Sequence, residues 1–133
     1  MNADRISLIR TVCLGLTGVS CVAYSVLALA SGVPNPVGWY WPGALGLASG
    51  LVITIAAFMG GKSEARAATD ELYKAVSHRA ERQAYWVSMA LFVIVAVSCA
   101  WGLMPWDTGF AVFGTLMGAS FLLLFVYHDL RMR

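Results

Sequence analysis

The sequence predicts an all-α integral membrane protein: a bundle of four spanning helices with both termini in the cytoplasm and the third helix extended into the cytoplasm. Hydrophobic residues make up 59% of the chain and charged residues 12%. A soluble domain has about 25% charged and under about 50% apolar residues. In addition, all nine Lys and Arg residues fall in segments that four spans would place on one side of a membrane.

Four apolar runs are the expected spans of a single domain that covers residues 1–133. They are residues 6–30, 42–60, 84–104 and 108–127. Each run has about 19 to 25 residues, the length that a helix needs to cross a hydrocarbon core about 30 Å thick. Arg10 is the only charged residue within the four runs.

The first run has two interpretations. Arg5 and Arg10 followed by an apolar stretch, with Ala28-Leu29-Ala30 as a small-residue cleavage site, would fit a cleaved signal peptide. The run is longer than the apolar region of about 7–15 residues in such peptides, which favours an uncleaved first span.

The segment between the first two runs, VPNPVGWYWPG, predicts an outer turn. It contains no basic residue, and aromatic side chains with a polar N–H or O–H group suit the headgroup layer. A ligand cage made of these aromatic rings is the alternative. The residues expected on this outer face are Trp39, Tyr40, Trp41, Trp101 and Trp106.

The segment 61–83 is predicted to be the cytoplasmic loop. Gly60-Gly61 predicts the end of the second helix. The basic residues on the expected cytoplasmic side precede or open the first run, occupy this loop and end the chain: Arg5, Arg10, Lys62, Arg66, Lys74, Arg79, Arg82, Arg131 and Arg133. This one-sided placement sets the predicted orientation.

The third helix is predicted to run from Asp70 to about Leu103 without a break, so that about three turns precede the membrane. Thr69 with two following acids is a typical helix start. Leu72, Val76 and Ala80 recur every four residues and predict an apolar stripe. The charged residues lie mostly off this stripe.

This extension is the candidate partner-binding site. One interpretation is a solvated charged connector, and the other is a binding site for a cytosolic partner or an anionic lipid. Four acids in the loop offset much of the attraction that its basic residues would have for lipid. The candidate residues are Asp70, Glu71, Lys74, His78, Arg79 and Arg82.

The same loop resembles that of a broad group of small prokaryotic membrane proteins with four spans. The matching residues are Asp70-Glu71, Arg79-Ala80 and Ala84-Tyr85, and Leu72 departs from the group, which often has Arg there. The resemblance covers about 25 residues plus the number of spans. It implies a four-helix domain in the prokaryotic cytoplasmic membrane, and the group has no established activity.

Small residues predict close helix packing in the second and fourth spans. Both contain a G-x-x-x-G pattern, which lets helix backbones approach in lipid. The candidate packing residues are Gly46, Gly50, Gly114 and Gly118. The contacts could form within one chain, or they could build a homo-oligomer or a larger membrane complex. The first span has a comparable stripe of Cys13, Thr17, Cys21 and Ser25.

Several chemistries lack their required residues. The first span has no carboxylate for proton-coupled drug export, and the three cysteines form no C-x-x-C pair for thiol oxidation. A metal site at His78, His128 and Asp129 is a weak alternative. We expect no catalytic group, cofactor or metal, and the net charge of +2 gives no indication of nucleic acid.

The predicted function is therefore that of a non-enzymatic membrane protein, an accessory or regulatory subunit that acts through helix packing and the extended third helix. The alternative is a small oligomeric channel or transporter with a path between subunits.

Overall fold

The computed structural model describes residues 2–38, 40–67, 69 and 71–132. The described chain forms four α-helices: α1 (Ala3–Ser31), α2 (Tyr40–Ala67), α3 (Glu71–Ala100) and α4 (Trp106–Met132). Each of the four is long and apolar enough to cross a membrane. The predictions of an all-α fold and of a multi-pass membrane protein are confirmed, and the helices are consistent with a four-helix bundle.

Glycines in the left-handed conformation end two of the helices. Gly32 has φ 67° and donates its N–H to Ala28 O at 3.0 Å, which closes α1. Gly102 has φ 73° and follows the end of α3. The third helix is continuous as predicted, but it ends at Ala100, about three residues before the expected Leu103.

Helix α2 is interrupted at Gly61, where the Gly60-Gly61 pair predicts the end of the second helix. Gly61 has φ 80° and ψ 167°, a conformation that interrupts the helix and that glycine tolerates best. Residues 62–67 form a further short helical segment within the predicted loop. This segment, KSEARA, contains no Gly or Pro and several good helix formers, so the chain re-enters a helix after the break.

The helices pack in the order α2, α1, α4, α3. Helix α1 lies against α2 and α4, and α3 lies against α4. In the part of the chain that the structure describes, the backbones of α2 and α3 do not pack against each other. The bundle is therefore open on the side between α2 and α3.

Both chain ends and the α2–α3 connection lie at one end of the molecule. Ala3 N–H donates to Glu64 Oε2 at 2.8 Å, and Arg10 lies 3.7 Å from Asp129. We call this end the charged end; its described residues are 2–10, 62–67, 69, 71–83 and 128–132. Its side of the membrane remains a prediction.

Hydroxyl groups join the central helix α1 to both neighbours. Thr17 Oγ1 lies 2.9 Å from Ser49 Oγ of α2, and Ser25 Oγ lies 2.6 Å from Thr115 Oγ1 of α4. Two residues of the predicted small-residue stripe, Thr17 and Ser25, therefore lie at helix contacts, and they face two different helices. Polar contacts of this kind hold helices together in lipid at about 0.6–2 kcal/mol each.

Much of the remaining surface is apolar and uncovered. Large side chains such as Leu47 and Phe58 are about four-fifths exposed. Water would not tolerate so extensive an apolar surface, whereas lipid would. Tyr40, Trp41 and Trp106 are more than half exposed at the end opposite the charged end. Trp39 of the predicted aromatic group lies outside the described residues.

Candidate functional site

The first three turns of α3, residues 71–83, form what we call the foot. Its inner face packs on α4: Val76 and Ala80 are completely buried and form a cluster with Phe125. Tyr73 lies edge-on to Phe125, with ring centroids 5.6 Å apart. The foot is therefore fixed to the bundle by side-chain packing, and the remaining turns of α3 continue it without a break.

The apolar stripe of the foot differs from the prediction at one position. Val76 and Ala80 face inward as expected, but Leu72 is 46% exposed. Tyr73 occupies the inner contact in its place. A helix turns about 100° per residue, so the stripe drifts, and at the foot's first turn position 73 lies nearer to α4 than position 72.

The outer face of the foot carries the predicted partner-binding residues. Those that the structure describes are all exposed: Glu71, Lys74, His78, Arg79 and Arg82. Asp70 lies outside the described residues. His78 Nδ1 lies 3.6 Å from Glu81 Oε2, and Ser77 Oγ donates to Glu81 Oε1 at 3.0 Å. The structure thus gathers charges of both signs on one firmly held helical surface.

A buried ion pair lies beneath the foot. Arg10 of α1 is 8% exposed, Asp129 of α4 is 6% exposed, and their nearest charged atoms are 3.7 Å apart. Thr11 Oγ1 donates to Asp129 Oδ2 at 2.6 Å. The guanidinium carbon of Arg10 also lies 4.3 Å from the centre of the Tyr73 ring. Arg10 therefore links α1 both to α4 and to the foot.

Histidines occupy two unrelated positions in the site. His128 Nε2 lies 2.8 Å from Gln83 Oε1, whereas His78 lies on the exposed outer face beside Glu81. Among the described residues, no three His, Cys, Asp or Glu side chains are grouped as metal ligands. The structure does not assemble His78, His128 and Asp129 as a ligand set.

The sequence analysis does not predict the ion pair, although the sequence contains a signal for it. The sequence assigns Arg10 to the orienting charges or to a signal peptide, and Asp129 to an alternative metal site with His78 and His128. Arg10 is the sole charge within a predicted span, and a charge in such a position usually has a partner. Asp129 is the sole acid near the other chain end, which makes it a candidate partner, but the pairing itself depends on the packing of α1 against α4.

The predicted packing glycines mostly face outward. A Cβ at Gly46 would lie 3.7 Å from Thr17 Cγ2, an ordinary contact with α1. At Gly50, Gly114 and Gly118, a Cβ would meet nothing within 4 Å. Within the chain, these three positions are not helix contacts, so packing at their surfaces has to involve another molecule.

Two other glycines make the close contacts within the chain. A Cβ at Gly18 would lie 2.9 Å from Leu123 Cδ2, and one at Gly109 would lie 2.5 Å from Cys99 Sγ. Gly18 lets α1 approach α4, and Gly109 lets α4 approach α3. Neither belongs to a G-x-x-x-G pattern in the sequence.

The charged end therefore combines a fixed charged surface, a buried ion pair and a histidine–glutamine contact. Of these groups, the exposed charges of the foot can recognise a charged partner through complementary charges and hydrogen bonds. Comparisons of the chain with protein-family models, with characterised proteins and with solved structures gave no match.

Proposed function

We propose that this protein is a non-enzymatic membrane protein with both termini in the cytoplasm, and that it acts as an accessory or regulatory subunit through the foot. The observation that carries the proposal is the division of the foot into two faces. Its inner face is fixed by Val76, Ala80 and Phe125, and its outer face presents exposed charges of both signs.

The fixed backbone of the foot suits it to recognition. A partner that binds a flexible loop has to order that loop, whereas a packed helix is already in its final conformation. Alternating signs, such as Glu71 and Lys74, favour a partner with a complementary pattern over a uniformly charged surface. This argument favours a protein partner for the outer face.

The cytoplasmic orientation is supported by the charge distribution. Eight of the nine Lys and Arg residues lie within described segments at or next to the charged end, and the chain has none near the opposite end. Loops rich in Lys and Arg stay in the cytoplasm. The resemblance of the loop to prokaryotic four-span proteins implies the cytoplasmic membrane of a cell as the location.

Association in the membrane is the second part of the proposal. Gly50, Gly114 and Gly118 leave open backbone on α2 and α4. Lipid tails are as apolar as the helices, so close approach at small residues is a main source of helix association. We propose that these faces pack against a second copy or against another membrane subunit.

The alternative of a channel or transporter has less support. A path through lipid needs polar groups that face a common space. Thr17, Ser49, Ser25 and Thr115 instead face one another at helix contacts within the chain.

The test is the mass of the complex extracted with its native lipids into nanodiscs. The particle that contains the wild-type protein should be heavier than a nanodisc with a single copy of the chain. K74Q/R82Q removes two exposed charges from the foot and should release the partner. The matched control R5Q/R131Q removes two exposed charges at the same end but outside the foot, and it should keep the partner. A wild type that runs as a lone chain, or equal loss in both variants, would reject the proposal.

A further inference from the structure

A cleft of about 530 Å³ lies at the charged end, between α1, α2 and the start of α3. It lies on the open side of the bundle, where the backbones of α2 and α3 do not pack. Its walls are of two kinds, apolar (Ile6, Ile53 and Ala57) and basic (Arg10, Lys62 and Arg66). The volume falls within the range of about 300–1,000 Å³ that small-molecule sites occupy.

Among the residues that the structure describes, the lining of the cleft carries an excess of positive charge. Arg10 is balanced by Asp129 at 3.7 Å. Lys62 and Arg66 are exposed, and neither forms an ion pair with a residue that the structure describes. Glu64, the acid between them in sequence, accepts a hydrogen bond from Ala3 N–H. The excess therefore comes from Lys62 and Arg66.

An apolar groove continues from the basic end of this cleft along α2. The adjoining space of about 430 Å³ shares Ile53, Ala57 and Lys62 with it and extends to Phe58. The break at Gly61 separates the apolar part of α2 from the basic segment. Taken together, the two spaces are basic at the charged end and apolar toward the middle of the helix.

We propose that this groove binds an anionic phospholipid, with the phosphate between Lys62 and Arg66 and an acyl chain along Ile53, Ala57 and Phe58. Phosphate suits clustered Lys and Arg side chains, and Arg can bind it through two parallel hydrogen bonds. The apolar wall continues into the part of α2 that lies in lipid, so an acyl chain reaches it without leaving the bilayer. A soluble anion would use only the basic half.

This inference extends the proposed function to a different surface. Of the foot, only the inward-facing Tyr73 lines the cleft, and the residues of the outer face do not. The sequence alone indicates only weak binding of anionic lipid by the loop, because acids alternate with its basic residues. The structure separates them: Lys62 and Arg66 meet Arg10 across the cleft, and among the described residues no acid lines it.

The experiment is native mass spectrometry of the full chain in detergent, with phosphatidylglycerol and phosphatidylcholine that carry the same acyl chains. The wild type should retain phosphatidylglycerol in preference. Each basic residue at a membrane surface contributes about fivefold to anionic lipid affinity, so K62Q/R66Q should weaken phosphatidylglycerol binding about 30-fold. The matched control K74Q/R82Q removes two charges from the foot and should leave the affinity unchanged.

Two further measurements identify the molecule that binds in the groove. A57F should block the acyl chain and weaken phosphatidylglycerol while preserving the two basic residues. Glycerol phosphate, which has the headgroup without the chains, should not displace the lipid; effective displacement would mean a site for a free anion and would overturn the lipid assignment. Equal retention of the two lipids, or equal loss in both double variants, would also overturn it. A change in oligomer mass in K62Q/R66Q with unchanged lipid binding would instead assign the groove to a second copy of the chain.

Discussion

The Arg10–Asp129 pair predicts a specific loss of stability in D129N. The substitution preserves the size of the side chain and removes its charge. Arg10, which is 8% exposed, would then lose the attraction of a carboxylate 3.7 Å away. Removing the charge of one member of a buried pair is strongly unfavourable because the guanidinium has already lost most of its water.

The expected loss of stability follows from the distance between the two charges and from the side chains around Arg10. Two unit charges 3.7 Å apart attract by roughly 4 kcal/mol at an effective dielectric constant of about 20. The ring of Tyr73, 4.3 Å from the guanidinium carbon, remains in D129N and keeps part of the stabilisation of the cation. We therefore expect D129N to lower the free energy of unfolding by about 3 kcal/mol, within the range of about 3–5 kcal/mol for broken buried pairs.

The assay is reversible unfolding in mixed micelles, followed by far-UV circular dichroism. The control D4N makes the same chemical change at an exposed position of α1 and should cost less than about 1 kcal/mol. The double variant R10M/D129L replaces the pair with apolar side chains and should be more stable than D129N, because no charge is left buried. Equal stability of D129N and D4N would refute the reasoning.

Two other predictions test the topology and the packing. With the native cysteines replaced by alanine, N35C should react with an impermeant thiol reagent added outside the cell, and S63C should not; the reverse labelling would invert the proposed orientation. G18L should lower the thermal stability of the monomer, because a Cβ there would lie 2.9 Å from Leu123 Cδ2. The control G118L should leave the thermal stability unchanged. Equal melting temperatures of the two variants would contradict the helix contacts described.

The number and approximate extent of the helices could be predicted because the bilayer imposes a length on each apolar run. The residue at which each helix ends depends on the competition between residues that interrupt a helix and residues that favour it. At Gly61 the backbone does leave the helix, but the helix-forming residues that follow start it again. A glycine in the sequence marks a permitted break, and it does not determine whether the next turn is helical.

The outer face of the foot was predictable from helical periodicity alone. The spacing of residues along one helix shows which side chains form the apolar stripe and which charges lie on the opposite face. The ion pair was not predictable, because Arg10 and Asp129 come from opposite ends of the chain and meet only once α1 packs on α4. The same limit applies to the cleft, whose basic residues come from α1 and from the segment after Gly61.

Glycine motifs were an incomplete guide to packing. The G-x-x-x-G pattern identifies faces on which backbones can approach, and Gly50, Gly114 and Gly118 have open faces of this kind. The closest helix contacts within the chain use isolated glycines: Gly18 faces Leu123 of α4, and Gly109 faces Cys99 of α3. Which glycines are used depends on the order of the helices around α1, and spacing within one helix does not contain that information.

The most direct test of the subunit hypothesis is site-specific photo-crosslinking in intact membranes. A photoreactive amino acid in place of His78, whose side chain is 88% exposed on the outer face, should crosslink to a second polypeptide. The same group in place of the completely buried Val76 should crosslink only within the chain, to α4. If position 78 gives no protein adduct while position 76 reacts as expected, the foot does not bind a protein partner and the proposed function is contradicted.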